Sequence, residues 1–222
     1  MDLSDLYHEA TFTMVGRMTM LIEPIKDMLP TDGVILDAGC SNGTTTLELA
    51  YLFGRHVIGI DQNKPGEDVE DRGIEYGAFL SSRARSIAGN EEGGKQLLGK
   101  VEFRELDMFS KDIDSLPAPK LILMANNVLN KINGLDLSGK EVRQNIIYAL
   151  LPAIGILQVG GVLLLASDSS GSIGRSYIIF QKQLTEVKLV GDNDFYSTRS
   201  SISFDNLKLI EEEINSSLKE LW

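Results

Sequence analysis

Cysteine is nearly absent from this chain. Cys40 is the only one in 222 residues, so no internal disulfide can form. A reducing, cytoplasmic setting is the expectation. Positive charge is also short, with 21 Lys and Arg against 32 Asp and Glu, a formal net charge of -11. An acidic chain is a poor host for a phosphate backbone, and no run rich in Lys or Arg offsets that, so a nucleic-acid partner is disfavoured. No apolar run is long enough to span a membrane. The start of the chain has Asp2 and Asp5 where a signal peptide would be basic. Internal repeats, low-complexity tracts and an interdomain linker are all missing. What remains is ordinary for a soluble globular protein: 43% hydrophobic and 24% charged residues. The length suits one large α/β domain.

The most informative stretch runs from Val34 to Gly43. Val34, Ile35 and Leu36 form a short apolar run, as expected of a strand covered on both faces. Asp37 stands at its carboxyl end, where open α/β sheets bind ligands. Gly39 and Gly43 permit a tight turn and let a ligand approach bare backbone. A helix follows over 44–53. Thr45 and Glu48 have the spacing of a capping box, Leu47, Ala50 and Tyr51 make an inner face, and Gly54 fits the stop.

Elsewhere the pattern alternates. Residues 3–29 read as one or two helices, with Pro24 bending the segment or starting a new helix. His56 to Ile60 reads as strand two, ending at Asp61. A helix is expected over 74–87. Val101 to Leu106 reads as strand three, ending at Asp107. Leu121 to Met124 reads as strand four, followed by Asn126 and Asn127. A helix over 138–153 precedes a Gly160-Gly161 turn and strand five, Val162 to Ala166. Residues 172–184 are expected to contain a helix. Two late strands, 186–190 and 195–204, are expected around a turn at 191–194. Asp205 then caps a terminal helix.

Alternating strands and helices imply an α/β fold: three layers, Rossmann-like, with helices on both faces of a seven-stranded, mostly parallel sheet. Two late strands without a good helix between them imply one antiparallel strand. The expected organisation is an N-terminal helical cap, 1–30, on a ligand-binding domain, 31–222.

Over residues 30 to 204 this pattern resembles the class I S-adenosylmethionine (SAM) dependent methyltransferases. Asp37, Gly39 and Gly43 match the family's acid-x-Gly-x-x-x-Gly loop. The resemblance implies that Asp61 holds the ribose hydroxyls. It implies that Asp107 faces the adenine amino group, with Met108 packing on the ring. It implies that Asn126 or Asn127 lies near the transferred methyl. Cys40, Ser41 and Gln62 complete the implied cofactor contacts.

The residue chemistry points the same way. SAM carries no phosphate, and from Val34 to Gln62 the only basic side chains are Arg55 and His56. SAM does carry a sulfonium and an ammonium, which Asp37 and backbone carbonyls suit. A carboxylate accepting two hydroxyl hydrogen bonds grips a ribose diol. A pyrophosphate loop would read Gly-x-Gly-x-x-Gly instead. Cys40 reads as a small packing group rather than a nucleophile.

The proline-containing motif of amino-directed nucleic-acid methyltransferases is absent after strand four. So are the acids of metal-dependent O-methyltransferases. The expectation is therefore a metal-free methyltransferase acting on a small molecule or a protein. His8, Tyr7 and Asn126 are the candidates for contacts near the methyl. Two other classes stay open: a non-catalytic SAM-binding or partner-binding module, and an NAD-dependent oxidoreductase.

Overall fold

The computed structural model describes residues 17–40, 43–62, 68–69, 74–75, 96–125, 140–168, 175–193, 196–197, 200–201 and 204–221. Its centre is a seven-stranded sheet. The strands are β1 (Ile35–Ala38), β2 (Val57–Asp61), β3 (Val101–Glu105), β4 (Leu121–Ala125), β5 (Val162–Asp168), β6 (Arg175–Lys182) and β7 (Val187–Asn193). Their order across the sheet is β3-β2-β1-β4-β5-β6-β7. From β3 to β5 every pairing is parallel. β6 runs against β5, and β7 runs against β6, so among the described strands of this sheet β6 is the one opposed to the rest.

The strands are apolar on successive residues because both faces are covered. Ile35, Val57, Leu121, Leu123, Leu164 and Ile179 enter one core. Their neighbours Leu36, Ile58, Ile122, Leu163, Leu165, Ile178 and Phe180 enter the other. The side-chain period of two sends alternate residues to opposite faces, giving a helix layer on each side.

One layer holds α1 (Arg17–Ile22), a 3-10 segment (Glu23–Met28) and α2 (Thr44–Phe53). Pro24 lies in the first turn of the 3-10 segment, where its missing N–H costs nothing. Met18, Leu21, Ile22, Ile25 and Leu29 are buried in the same core as β1. The described part of the N-terminal segment thus packs directly on the sheet domain. The other layer holds α3 (Lys140–Ile156) and α4 (Phe204–Leu221). Ile147, Leu150 and Ile154 of α3 meet Leu207, Ile210 and Ile214 of α4 in that core.

Several expectations need correction. The helix placed within 172–184 is strand β6. Ile178, Ile179 and Phe180 are all buried, facing opposite cores in turn, and such a run has no polar face to mark its period. The strand expected at 186–190 continues through Asn193, with Gly191 pairing with Ile179, so 191–193 are strand and not turn; a separate turn at Gln183–Glu186, where the Gln183 N–H reaches the Glu186 carbonyl, joins β6 to β7. Within 195–204 there is a short separate ladder, Tyr196–Ser197 with Ser200–Ser201. Ile74–Glu75 pairs with Asp68–Val69 instead of opening a helix, and the rest of that expected helix lies outside the described residues.

Helix α2 also differs from its reading. Its N-cap is Gly43 in the left-handed region, with no side-chain cap, so Thr45 and Glu48 form no capping box. Tyr51 is 41% exposed, and Leu49 takes the inward position instead. Gly54 does end the helix, with φ of 64° and its N–H on the Ala50 carbonyl.

Candidate functional site

Strand order reverses between β1 and β4. β2 and β3 lie on one side of β1, and the chain then crosses to the other. In open α/β sheets the crevice outside such a switch point, at the carboxyl ends, is the ligand site. The Gly39–Gly43 loop leaves β1 at that place. β4 ends at Ala125, one residue beyond Met124, the partner of Ala38.

The loop is tied to β2. The N–H groups of Gly39 and Cys40 both donate to the Ile60 carbonyl, at 2.8 and 2.9 Å. The Gly43 N–H donates back to the Cys40 carbonyl at 2.9 Å. Gly39 and Gly43 have φ of 78° and 77°, which disfavours any side chain at either position.

Asp37 is only 2% exposed. Its Oδ2 accepts hydrogen bonds from the hydroxyls of Thr45, at 2.8 Å, and Thr46, at 2.7 Å. The carboxylate therefore joins the end of β1 to the first turn of α2. Cys40 is buried beside it. Burial pushes the thiol pKa well up, and the charges of Asp37 and Asp61 push it further. It sits as a neutral packing group. Gly59 makes room behind the loop: a Cβ there would lie 2.6 Å from Thr46 Oγ1, 3.0 Å from Phe103 Cδ1 and 3.1 Å from Cys40 Cβ.

Asp61 is the last residue of β2 and half-buried, and its carbonyl accepts the Leu106 N–H at 2.8 Å. Gln62 follows it and is exposed. Asp107 is exposed in the turn after β3, and its Oδ1 accepts the Phe109 N–H at 2.9 Å. Met108 is 5% exposed and belongs to the core with Leu36 and Ile58. Ser41, Asn126, Asn127, Tyr7 and His8 lie outside the described residues.

The structure thus brings Asp37, Gly39, Cys40, Gly43 and Asp61 together, with Asp107 past the end of the next strand. The basic groups of 34–62 stand at the opposite end. Arg55 donates to the carbonyls of Gly33 and Pro30, ahead of β1. His56 precedes β2 and lies 3.8 Å from Glu102. Among the described residues, no group of three or more His, Cys, Asp or Glu could hold a metal ion.

Three features escaped the sequence reading. The Thr45 and Thr46 hydroxyls serve Asp37 and not a helix cap. Glu48 accepts the N–H groups of Met18 and Thr19 and the Thr19 hydroxyl, joining α2 to α1. Gly59 is a mid-strand glycine, and that alone was a usable signal of close approach.

No protein-family model and no curated protein matches the chain. Solved structures do match. The rRNA methyltransferase AviRa from Streptomyces viridochromogenes is 18% identical, with a TM-score of 0.51, over 81% of this chain and 92% of that one. A protein described as a SAM-dependent methyltransferase from Methanosarcina mazei is 26% identical, with a TM-score of 0.43, over 64% of this chain and 56% of that one. The cyclase SpnF is 18% identical, with a TM-score of 0.44, over 74% of this chain and 52% of that one. The chain spans little more than half the length of these last two proteins. Its strand order, its strand directions and its likeness to the rRNA enzyme give it the Rossmann-like fold of the class I S-adenosylmethionine-dependent methyltransferases.

Proposed function

We propose that the chain binds SAM at the carboxyl ends of β1, β2 and β3 and transfers its methyl to a small-molecule or protein acceptor. The observation that carries this reading is Asp61, half-buried at the end of β2, beside a glycine loop with carboxylates at its base. The residues fit the ligand's chemistry. A carboxylate is the acceptor a ribose diol needs, and Asp107 is the acceptor an adenine amino group needs. Two left-handed glycines admit the ligand to bare backbone. The charges of Asp37 and Asp61 favour a cation, and the described basic side chains of 34–62 stand at the other end of the sheet.

When bound, SAM supplies an electrophilic methyl on a sulfonium. The chain's task is to hold an acceptor lone pair in line with that methyl at near-attack distance. Asn126, Asn127, Tyr7 and His8 are the residues we assign to that side of the site. A general base is required only where the acceptor is protonated at working pH. The rRNA acceptor in the neighbour's name is not carried over, because a formal net charge of -11 opposes a polyanion.

Calorimetric titration with S-adenosylhomocysteine tests the binding. Asp61→Asn should weaken it about tenfold, roughly 1.4 kcal/mol. No binding to the wild type would overturn the proposal. Incubation with methyl-labelled SAM and a cell extract tests the transfer, and binding without any labelled product would leave a SAM-binding module.

A further inference from the structure

We infer that Thr46 is a positioning residue for the cofactor: through Asp37 it holds together the two described ends of the glycine loop, Gly39–Cys40 and Gly43, which on the SAM reading face the methionine part of SAM. The inference rests on the SAM reading above and deepens it.

Thr46 is wholly buried, so its hydroxyl cannot reach a ligand itself. It donates to Asp37 Oδ2 at 2.7 Å, and Thr45 donates to the same oxygen at 2.8 Å. Hydrogen bonds to a charged acceptor are the stronger kind, and burial strengthens them further. The two hydroxyls leave α2 in its first turn, and the carboxylate leaves β1 just before Gly39. The strand before the loop and the helix after it are therefore clamped together directly.

The loop needs such a clamp. Its two glycines have no side chains to limit their backbone freedom, and the N-cap Gly43 supplies no side-chain cap. Strand β2 is also shaped for Thr46, since Gly59 is the glycine whose added Cβ would come within 2.6 Å of the Thr46 hydroxyl oxygen. The two hydroxyls bond Asp37 at the base of the loop, whereas Asp61 and Asp107 stand at the ends of β2 and β3. Loss of the clamp should weaken the grip on the amino-acid end of the ligand and spare the grip on the nucleoside.

That division gives the test. Thr46→Val keeps the shape and removes the hydroxyl, while Thr46→Ser keeps the hydroxyl. Each is titrated with S-adenosylhomocysteine and with methylthioadenosine, which lacks the amino-acid end. Thr46→Val should lose about tenfold in affinity for S-adenosylhomocysteine, roughly 1.4 kcal/mol. Its affinity for methylthioadenosine should stay within about twofold of the wild type, and Thr46→Ser should restore the first affinity. Equal loss for both ligands, no loss for either, or no methylthioadenosine binding to the wild type would overturn the inference. If Thr46→Val does not fold, Thr45→Val removes the other bond to the same oxygen and carries the same comparison. A wild type that binds no S-adenosylhomocysteine would instead overturn the SAM reading itself.

Discussion

Asn215 stands against Val187 as a neighbouring strand would. Its Oδ1 accepts the Val187 N–H at 2.6 Å, and its Nδ2 donates to the Val187 carbonyl at 2.9 Å. One turn earlier on α4, Glu211 accepts the Leu189 N–H at 2.9 Å. Since β7 is the last of the described strands in the sheet, α4 occupies hydrogen-bonding groups that would otherwise template another chain.

Asn215→Leu should therefore do more than remove two bonds. It leaves a partly buried N–H and C=O unpaired, at a cost of about 1–3 kcal/mol. We expect a lower denaturation midpoint together with light scattering that rises with protein concentration. A variant as stable and as monodisperse as the wild type would show that the edge needs no such cover.

Glu48 should make stability depend on pH. It is 0% exposed, and burial raises its pKa, outweighing the lowering effect of the N–H groups of Thr19 and Met18. A folded-state value above the unfolded one means that the folded chain holds the proton more tightly. The stabilisation is thus full below the ordinary glutamate range, near about 4.3, and is lost as pH rises through the raised folded value. Glu48→Gln cannot ionise. The stability of the wild type relative to Glu48→Gln should fall as pH rises across that window, read from denaturation curves at several pH values. A gap that is flat with pH would count against an ionising Glu48.

Gly59→Ala should disturb the loop from behind, through Thr46 and Cys40. The new Cβ meets Thr46, Phe103 and Cys40, none of them a free-ended surface chain. Overpacking of this kind costs about 1–3 kcal/mol. The expected readout is a lower melting temperature and weaker S-adenosylhomocysteine binding, with far-ultraviolet circular dichroism unchanged. Wild-type binding in this variant would mean that the loop tolerates displacement of Thr46.

Cys40 should be silent to thiol reagents. Burial and two nearby carboxylates hold it as a thiol above its usual range. At mildly alkaline pH a disulfide reagent should react slowly with the folded protein and at once after denaturation. Rapid reaction in the folded state would place the sulfur at an accessible surface.

The parts of the fold that were legible in the sequence are those with sharp punctuation. β1, β2 and β4 are short apolar runs, and β1 and β2 are closed by an acid or a glycine. Gly54 at the end of α2 follows directly from its freedom at positive φ. β6 was misread because Ile178, Ile179 and Phe180 are buried without alternation, which suits a strand and a helix equally. Glu48 was misread because its partners stand in α1, far along the chain, and local spacing offered a nearer explanation. In the candidate site, the carboxylates were visible as residue types at strand ends. That Asp37 faces two threonines was not visible, because it depends on how α2 is turned over β1.

β1 is the first strand among the described residues and also the one from which the sheet grows both ways. A chain synthesised from its amino end meets these two sides at different times. β2 and then β3 can pair on one side early, while β1's other edge waits for β4. Until Leu121 has emerged, one edge of Ile35–Ala38 has no described strand beside it. The loop that begins at Gly39 is then flanked on only one side. The site therefore matures late in synthesis although its central residues are made early, and a nascent chain halted before β4 would carry the loop without its completed crevice.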